Sequence, residues 1–228
     1  MTKKEKQPKI VALVPMRHNS QRVSQKNYRG FDGKPLFYWI LKTLSQSPLI
    51  DSVYINTDSP IIKSQAPEIH PKIKIIDRPN ELCADQVPMN EILLYDVGQV
   101  EADYYLQTHA TNPLLKRSTI EKAIKALLSA KDKDSLFSVT RLQTRLWDQN
   151  FHPLNHDVNK LLRTQELPPV YEENSNIYIF TRQSLRERKN RIGKNPLIFE
   201  IPKVEAMDID EEIDFRVAEI LFRLENKI

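Results

Sequence analysis

Short β-branched runs punctuate this chain: Lys9–Val14 (KIVALV), Ser52–Asn56 (SVYIN), Lys72–Ile76 (KIKII), Tyr104–Gln107 (YYLQ), Leu136–Thr140 (LFSVT) and Asn176–Thr181 (NIYIFT). Several are apolar almost without a break. A strand with one wet face alternates apolar and polar residues, so a continuous run means burial on both faces, as in a parallel sheet covered on two sides. Between the runs, Pro35–Ser45, Ser59–Ala66, Pro88–Gln99 and Ser118–Ala130 read as helices. The fourth spaces Ile120, Ala123, Ile124, Leu127 and Leu128 on one face, with Ser118 expected as its N-cap. Pro35 and Pro88 stand where a first helical turn tolerates proline. The last segment, Glu211–Lys227, is expected to bury a stripe of Ile213, Val217, Ile220, Leu221 and Leu224. Strands alternating with helices predict an α/β sandwich with right-handed crossovers.

The rhythm fails between Arg141 and Asn174, a stretch rich in turn formers (Asp148, Pro153, Pro168, Pro169) and carrying Trp147. A connection that long inside a compact domain needs a task. Residues 141–174 are therefore read as an excursion of extended arms that packs on a second copy of the chain, giving a homodimer. The 228 residues otherwise fit one domain, with residues 1–8 as a flexible tail.

What the chain lacks narrows its function. Four glycines, Gly30, Gly33, Gly98 and Gly193, satisfy neither G-x-G-x-x-G nor G-x-x-x-x-G-K-[ST]. The dinucleotide-binding fingerprint and the Walker loop are excluded. One cysteine, Cys83, excludes an intrachain disulfide and multi-cysteine zinc motifs. No apolar run reaches the length of a membrane span, and no signal-peptide pattern is present, so the expected location is cytoplasmic. Lys3, Lys4, Lys6 and Lys9 against Glu5 account for +3 of the net charge of +4. The excess sits in the tail rather than on a folded face, so neither a nucleic acid nor a membrane is expected as partner.

In an open α/β sheet, ligands bind beyond the carboxyl ends of the strands. The segment after the first run, Pro15 to Asn27 (PMRHNSQRVSQKN), brings Arg17, Arg22 and Lys26 with the polar Asn19, Ser20 and Asn27. Such a loop can hold a polyphosphate through side-chain charge and backbone N–H groups; the plainer alternative is a solvated basic loop. Asp208 and Asp210 form a second constellation. Residues i and i+2 of an extended segment project to one side, so two repelling carboxylates converge and call for a cation. Hard oxygen ligands beside phosphate select Mg2+. The alternative, that the acids complement a helix N-terminus, suits Glu211 and Glu212 better than Asp208.

At this point a family pattern emerges. Arg17-x-x-Ser20-x-Arg22-x-x-x-Lys26-Asn27, then Gly33-Lys34-Pro35-Leu36, resembles the nucleotide-binding signature of cytidylyltransferases that activate acidic sugars, in particular the CMP-N-acylneuraminate synthetases. Asn56-Thr57-Asp58, Arg78-Pro79-x-x-Leu82-x-x-Asp85, Thr111-Asn112-Pro113-Leu114, Glu173-Asn174 before Ile177-Tyr178-Ile179, and Asp208-Ile209-Asp210 with Asp214 resemble further family motifs in order, across residues 10–220. The resemblance implies a three-layer α/β sandwich on a mostly parallel, Rossmann-like nucleotidyltransferase sheet with an extended dimerisation excursion. It implies transfer of CMP from CTP to an acidic keto sugar with release of pyrophosphate. It assigns Arg17, Asn19, Ser20, Arg22, Lys26, Asn27 and Asp85 to the nucleotide, Asp208 and Asp210 to Mg2+, and Arg17, Lys26 and Asp210 to catalysis.

For the sugar it points to His109, Thr111, Asn112, Asn174 and a basic residue of the excursion. Arg141, Arg145 and Arg163 all flank that region, and Arg163 or Arg141 is the candidate for the sugar carboxylate. His109 ends a strand and either faces the substrate or is a hydrogen-bonded core histidine. The sequence departs from the family at Asn19 (often glycine there), Gln21 (usually lysine), His109 (glutamine), Leu115 (arginine), and Ser175-Asn176 (glycine-alanine). The nucleotide loop and the acid pair are kept while the sugar-facing segments vary, which leaves the sugar open. A nonulosonate such as N-acetylneuraminate, pseudaminate or legionaminate is expected, with the eight-carbon Kdo as runner-up. Two other readings remain at this stage: a sugar-nucleotide glycosyltransferase with a D-x-D metal pair, and a non-catalytic nucleotide-binding relative.

Overall fold

The computed structural model describes residues 7–20 and 22–225; Gln21 and most of the expected tail lie outside them. A seven-stranded sheet runs β5 (Ile73–Asp77), β4 (Ser52–Thr57), β1 (Ile10–Leu13), β6 (Tyr104–Gln107), β8 (Val170–Phe180), β7 (Ser135–Leu142) and β9 (Pro196–Glu200). β1 pairs in parallel with β4 and with β6, and β4 with β5. β8 alone reverses, antiparallel to both β6 and β7, while β9 is parallel to β7. The remaining strands, β2 (Gly30–Phe31) and β3 (Lys34–Pro35), form a small hairpin. Its Asp32-Gly33 corner has φ of 45° and 77°, the left-handed pair that a tight hairpin turn requires.

The continuous apolar runs are explained by two cores. Ile10 and Ala12 face one side of the sheet, where α1 (Leu36–Ser45), α2 (Pro60–Gln65) and α4 (Arg117–Ser129) supply Phe37, Ile62 and Ile124. Val11 and Leu13 face the other, under α3 (Met89–Gln99) and α5 (Arg182–Arg188), with Leu93, Val97 and Leu185. The layered, mostly parallel sandwich expected from the sequence is the fold.

Three details differ. Ser118 lies inside α4, whose N-cap position is Lys116; no side chain caps it. Instead the Lys116 N–H donates to Glu205 Oε2 at 2.9 Å, so a distant carboxylate takes the helix-start donor. On α6 (Glu212–Glu225) the buried face is Phe215, Ala218 and Phe222, while Ile213, Val217, Ile220 and Leu224 are exposed. Two phenylalanines seven residues apart match the period of the stripe, and they win because Phe31 meets both edge-on, at 5.5 and 5.4 Å. Finally, the excursion is shorter than expected, because Arg141 and Leu142 pair with Tyr171 and Val170. The sheet therefore claims both of its ends.

Gly193 is required by close approach. A Cβ there would lie 2.4 Å from Asp134 Oδ1, and that carboxylate is held by the N–H groups of Lys194 (2.6 Å) and Asn195 (3.1 Å). Gly193→Ala should therefore cost about 1–3 kcal/mol by overpacking. Gly98, within α3 with nothing inside 4 Å, offers the contrast: Gly98→Ala should gain about 0.4–1 kcal/mol through the unfolded chain. Urea-unfolding midpoints of the two variants should move in opposite directions.

Candidate active site

The segment following β1 leaves the sheet at its carboxyl edge and is pinned at once. Met16 N donates to Asn56 O (2.9 Å) and His18 N to Asp58 Oδ1 (2.7 Å), both at the end of β4. Asn27 Nδ2 then donates back to Arg17 O at 2.9 Å, closing the loop on itself. The loop forms one wall of a cleft of about 520 Å³, lined by Arg17, Ser20, Arg22, Lys26 and Asn27 together with Asp85, His109, Thr111, Asp208 and Asp210.

The opposite wall comes from the far end of the chain. Lys26 Nζ donates to Ile209 O at 2.6 Å and lies 3.6 Å from Asp210 Oδ1, to which Arg22 also donates at 2.7 Å. Burial pushes the Lys26 amine down, opposed by Asp210 and Asp208. Ile209 N donates to Thr111 O at 3.1 Å, which lays the segment 208–210 against the end of β6. Asp208 accepts from Thr111 and, at 3.4 Å, from Asn112 Nδ2. Burial raises its pKa, and the neighbouring Asp210 raises it further. Two carboxylates thus share the cleft with the basic loop, and Arg17 pairs with Asp85 across it.

Some expected residues lie elsewhere. Asn19 is exposed and off the cleft wall. The Asn174 amide is consumed structurally: Ser138 Oγ donates to its Oδ1 (2.6 Å), and its Nδ2 donates to Thr140 Oγ1 (3.0 Å). It holds the strand bend where the β7–β8 register shifts between Phe137 and Val139. Arg163 sits on the excursion, exposed and paired with Glu166.

Two arginines reach the cleft that sequence reasoning did not place there. Arg78, after β5, donates to Asn56 Oδ1 (2.6 Å) and Asn56 O (3.0 Å); Asn56 in turn donates to the buried Asp96 at 2.6 Å. Asp96 is pushed up to about 7 by burial. Arg78 stood in a quoted motif, which was the available signal. Arg191 stood in a basic stretch (RERKNRIGK) that looks like any solvated charge run, and only the fold brings it in. Ser175, where the family has glycine, holds a left-handed φ of 58° and also lines the cleft. A non-glycine residue rarely occupies that region without strain.

His109 is resolved as a member of the cleft wall. Gln107 Nε2 stands 3.0 Å from His109 Nε2 and donates to Thr108 O, while Gln107 Oε1 accepts from Arg191. Gln107 therefore donates to His109, which carries its proton on Nδ1. Burial, with Arg191 and Lys26 nearby, pushes His109 down to about 3. The unfolded ring takes a proton near pH 6.5 and the folded one does not, so acid favours unfolding between these values. The slope is at most about 1.4 kcal/mol per pH unit, and less here because part of the ring faces the cleft. His109→Gln should flatten the fall in stability from pH 6.5 to 4.5, as measured by denaturant titration at each pH.

A family model described as cytidylyltransferase matches residues 11–223. The N-acylneuraminate cytidylyltransferase of Oncorhynchus mykiss is 27% identical over 221 residues, covering 92% of this chain and 49% of its own length. The post-translational flagellin modification protein B of Campylobacter coli is 24% identical over 227 residues, covering 95% of this chain and 96% of its own. The chain spans about half the length of several curated relatives it matches. Among solved structures, a CMP:2-keto-3-deoxy-manno-octonic acid synthetase complexed with CTP has a TM-score of 0.70 at 15% identity, covering 95% of this chain and 99% of that one, a likeness of fold. With its motifs, its sheet and the family match in agreement, this chain belongs to the cytidylyltransferase family.

Proposed function

We propose that the protein transfers CMP from CTP to an acidic nine-carbon keto sugar and releases pyrophosphate. The observation that carries this reading is the meeting, in one cleft, of the Arg17–Asn27 loop with Asp208 and Asp210. The relatives named N-acylneuraminate cytidylyltransferase support the same chemistry. The anomeric hydroxyl of the sugar attacks the α-phosphorus of CTP. A new P–O bond forms, the bond to the β-phosphate oxygen breaks, pyrophosphate leaves and the hydroxyl proton passes to solvent. Arg17, Arg22 and Lys26 face the triphosphate and stabilise charge on the departing pyrophosphate. Ser20 and Asn27 orient it, and catalysis is positioning and electrostatics without a covalent intermediate.

The acid pair fits a magnesium ion. Asp208 is a half-buried carboxylate whose pKa is raised by burial, and the neighbouring Asp210 adds repulsion. Among the described residues no cluster of three or more acidic, histidine or cysteine side chains could hold an ion unaided. Magnesium is commonly held by one or two carboxylates together with substrate phosphates. Asp208 and Asp210 would hold it, and it would neutralise phosphate charge in the nucleotide.

The acceptor is a nonulosonate such as N-acetylneuraminate, pseudaminate or legionaminate. His109 and Asn112, where the family pattern has glutamine and serine, favour one of the latter two. The working unit is a homodimer in which the excursion covers the neighbour's sugar pocket. Its support is the apolar surface that the excursion leaves open, with Phe151 83% and Leu161 89% exposed beside Leu154, Val158 and Trp147. Among the described residues no helix is long and apolar enough to cross a membrane.

Pyrophosphate release with CTP, Mg2+ and a panel of keto acids tests the reaction; turnover of neutral sugar 1-phosphates with failure of every keto acid would overturn it. Asp208→Ala and Asp210→Ala should each lower turnover by roughly 10²-fold, the scale of one lost electrostatic contact. Arg17→Ala and Lys26→Ala should each weaken CTP binding by about 1.5–3 kcal/mol in calorimetry. Sedimentation at micromolar concentration should show a dimer, and a monomer would reject the assigned role of the excursion.

A further inference from the structure

Each charged group that the loop brings to the cleft already has an opposite charge: Arg17 has Asp85, and Arg22 and Lys26 share Asp210. Arg191 does not. Among the described residues no carboxylate lies within 4.0 Å of it. The acid that acts on it electrostatically, Glu173, accepts the hydroxyl of Tyr178 instead. What holds the guanidinium is neutral. Its Nη1 donates to Gln107 Oε1 at 2.7 Å, and its Cζ lies 3.5 Å from the centroid of the Tyr178 ring.

The placement is also rigid. Arg191 N donates to Asn90 Oδ1 at the start of α3 (3.1 Å), and Gly193 N donates to Ser135 Oγ (2.9 Å). Lys194 and Asn195 are fixed on Asp134. A half-buried guanidinium, clamped by an amide and an aromatic face with no carboxylate among the described residues within 4.0 Å, is costly to the apo protein unless an anion completes it.

Position says which anion. Arg191 acts electrostatically on His109, on the β6–β8 side of the cleft, whereas Arg78 and Arg17 act on one another on the β1–β5 side. The loop cations and the acid pair line the same cleft. The triphosphate occupies the loop, so Arg191 is left for the second substrate.

Resting on the function proposed above, we infer that Arg191, held by Gln107 and Tyr178, is the residue that reads the carboxylate of the acceptor sugar. Arginine suits that task because its planar fork meets a carboxylate through two parallel hydrogen bonds. The assignment moves carboxylate recognition from the excursion, where Arg163 is spent on Glu166, to the loop between α5 and β9.

The experiment compares N-acetylneuraminate, legionaminate and pseudaminate with their C1 methyl esters, in pyrophosphate release with CTP and Mg2+. The wild-type protein should use a free acid and discriminate strongly against its ester. Arg191→Gln should raise the KM for the acid by about 10- to 100-fold, the cost of a charge-assisted contact, and erase the acid-over-ester preference. The KM for CTP should hold. Arg191→Lys, which keeps the charge but not the fork, should restore part of the preference and guards against a glutamine variant that does not fold. Equal use of acid and ester by the wild type would overturn the inference. So would an unchanged acid KM in Arg191→Lys, or a parallel rise in the KM for CTP. A wild type inactive on every keto acid would overturn the functional reading itself. An active wild type whose Arg191→Gln variant keeps its preference would overturn the role of Arg191 alone.

Discussion

The hydrogen bond from Lys26 Nζ to Ile209 O joins positions 183 residues apart, and the cleft exists because of it. On one side is a loop whose cations would repel each other if left in solvent; on the other are two carboxylates whose repulsion would drive them apart. Lys26 sits where each set relieves the other, which is why a largely buried amine remains tolerable although burial pushes its pKa down. Apolar packing brings the two segments within reach. Val23 and Phe31 on the loop side and Ile209, Phe215 and Phe222 on the C-terminal side share one buried cluster. Charge then fixes the register that packing alone would leave loose.

This division explains how much was legible beforehand. Strands buried on both faces announce themselves, so the central sheet was readable from β1, β4 and β6. The edge strand β9 was not, because Ile198 faces solvent and Pro196 opens the run. Helix α5 reads R-Q-S-L-R-E-R, with a single large apolar residue to betray its buried side, Leu185. The first half of β8 follows Val170 and Tyr171 with four polar residues, Glu172 to Ser175, and was indistinguishable from loop. The burial of α6 on the side opposite to its aliphatic stripe follows from a tertiary partner, Phe31, that no local period encodes.

The site divides the same way. Arg17, Ser20, Arg22, Lys26 and Asn27 were legible because one continuous loop carries them, and Asp208 with Asp210 because the i, i+2 spacing is itself geometric. Arg191 was hidden because its significance lies in what does not surround it. Asn174 shows a related limit: a motif marks a position, while the hydrogen bonds from Ser138 and to Thr140 tie its side chain to the strand bend. Ser175 beside it adopts a backbone conformation suited to glycine and lines the cleft. A departure from the family pattern thus sits on a strained backbone rather than in a permissive loop.

The reversed strand β8 also bears on how the chain is made. β1, β4, β5 and β6 can pair once residue 107 has emerged, but the other edge of β6 stays open until Tyr105 finds Phe180, roughly 70 residues later. At synthesis rates of about 5–20 residues per second, that edge waits on the order of 4–15 s. During that interval Tyr105 and Leu106, later fully buried, border an unpaired strand that another chain could extend. Gln107, which ends in the cleft, is on the same strand. The β6–β8 side of the cleft therefore stays open until the reversed strand arrives, and the nascent protein's vulnerability to misassembly is concentrated in that window.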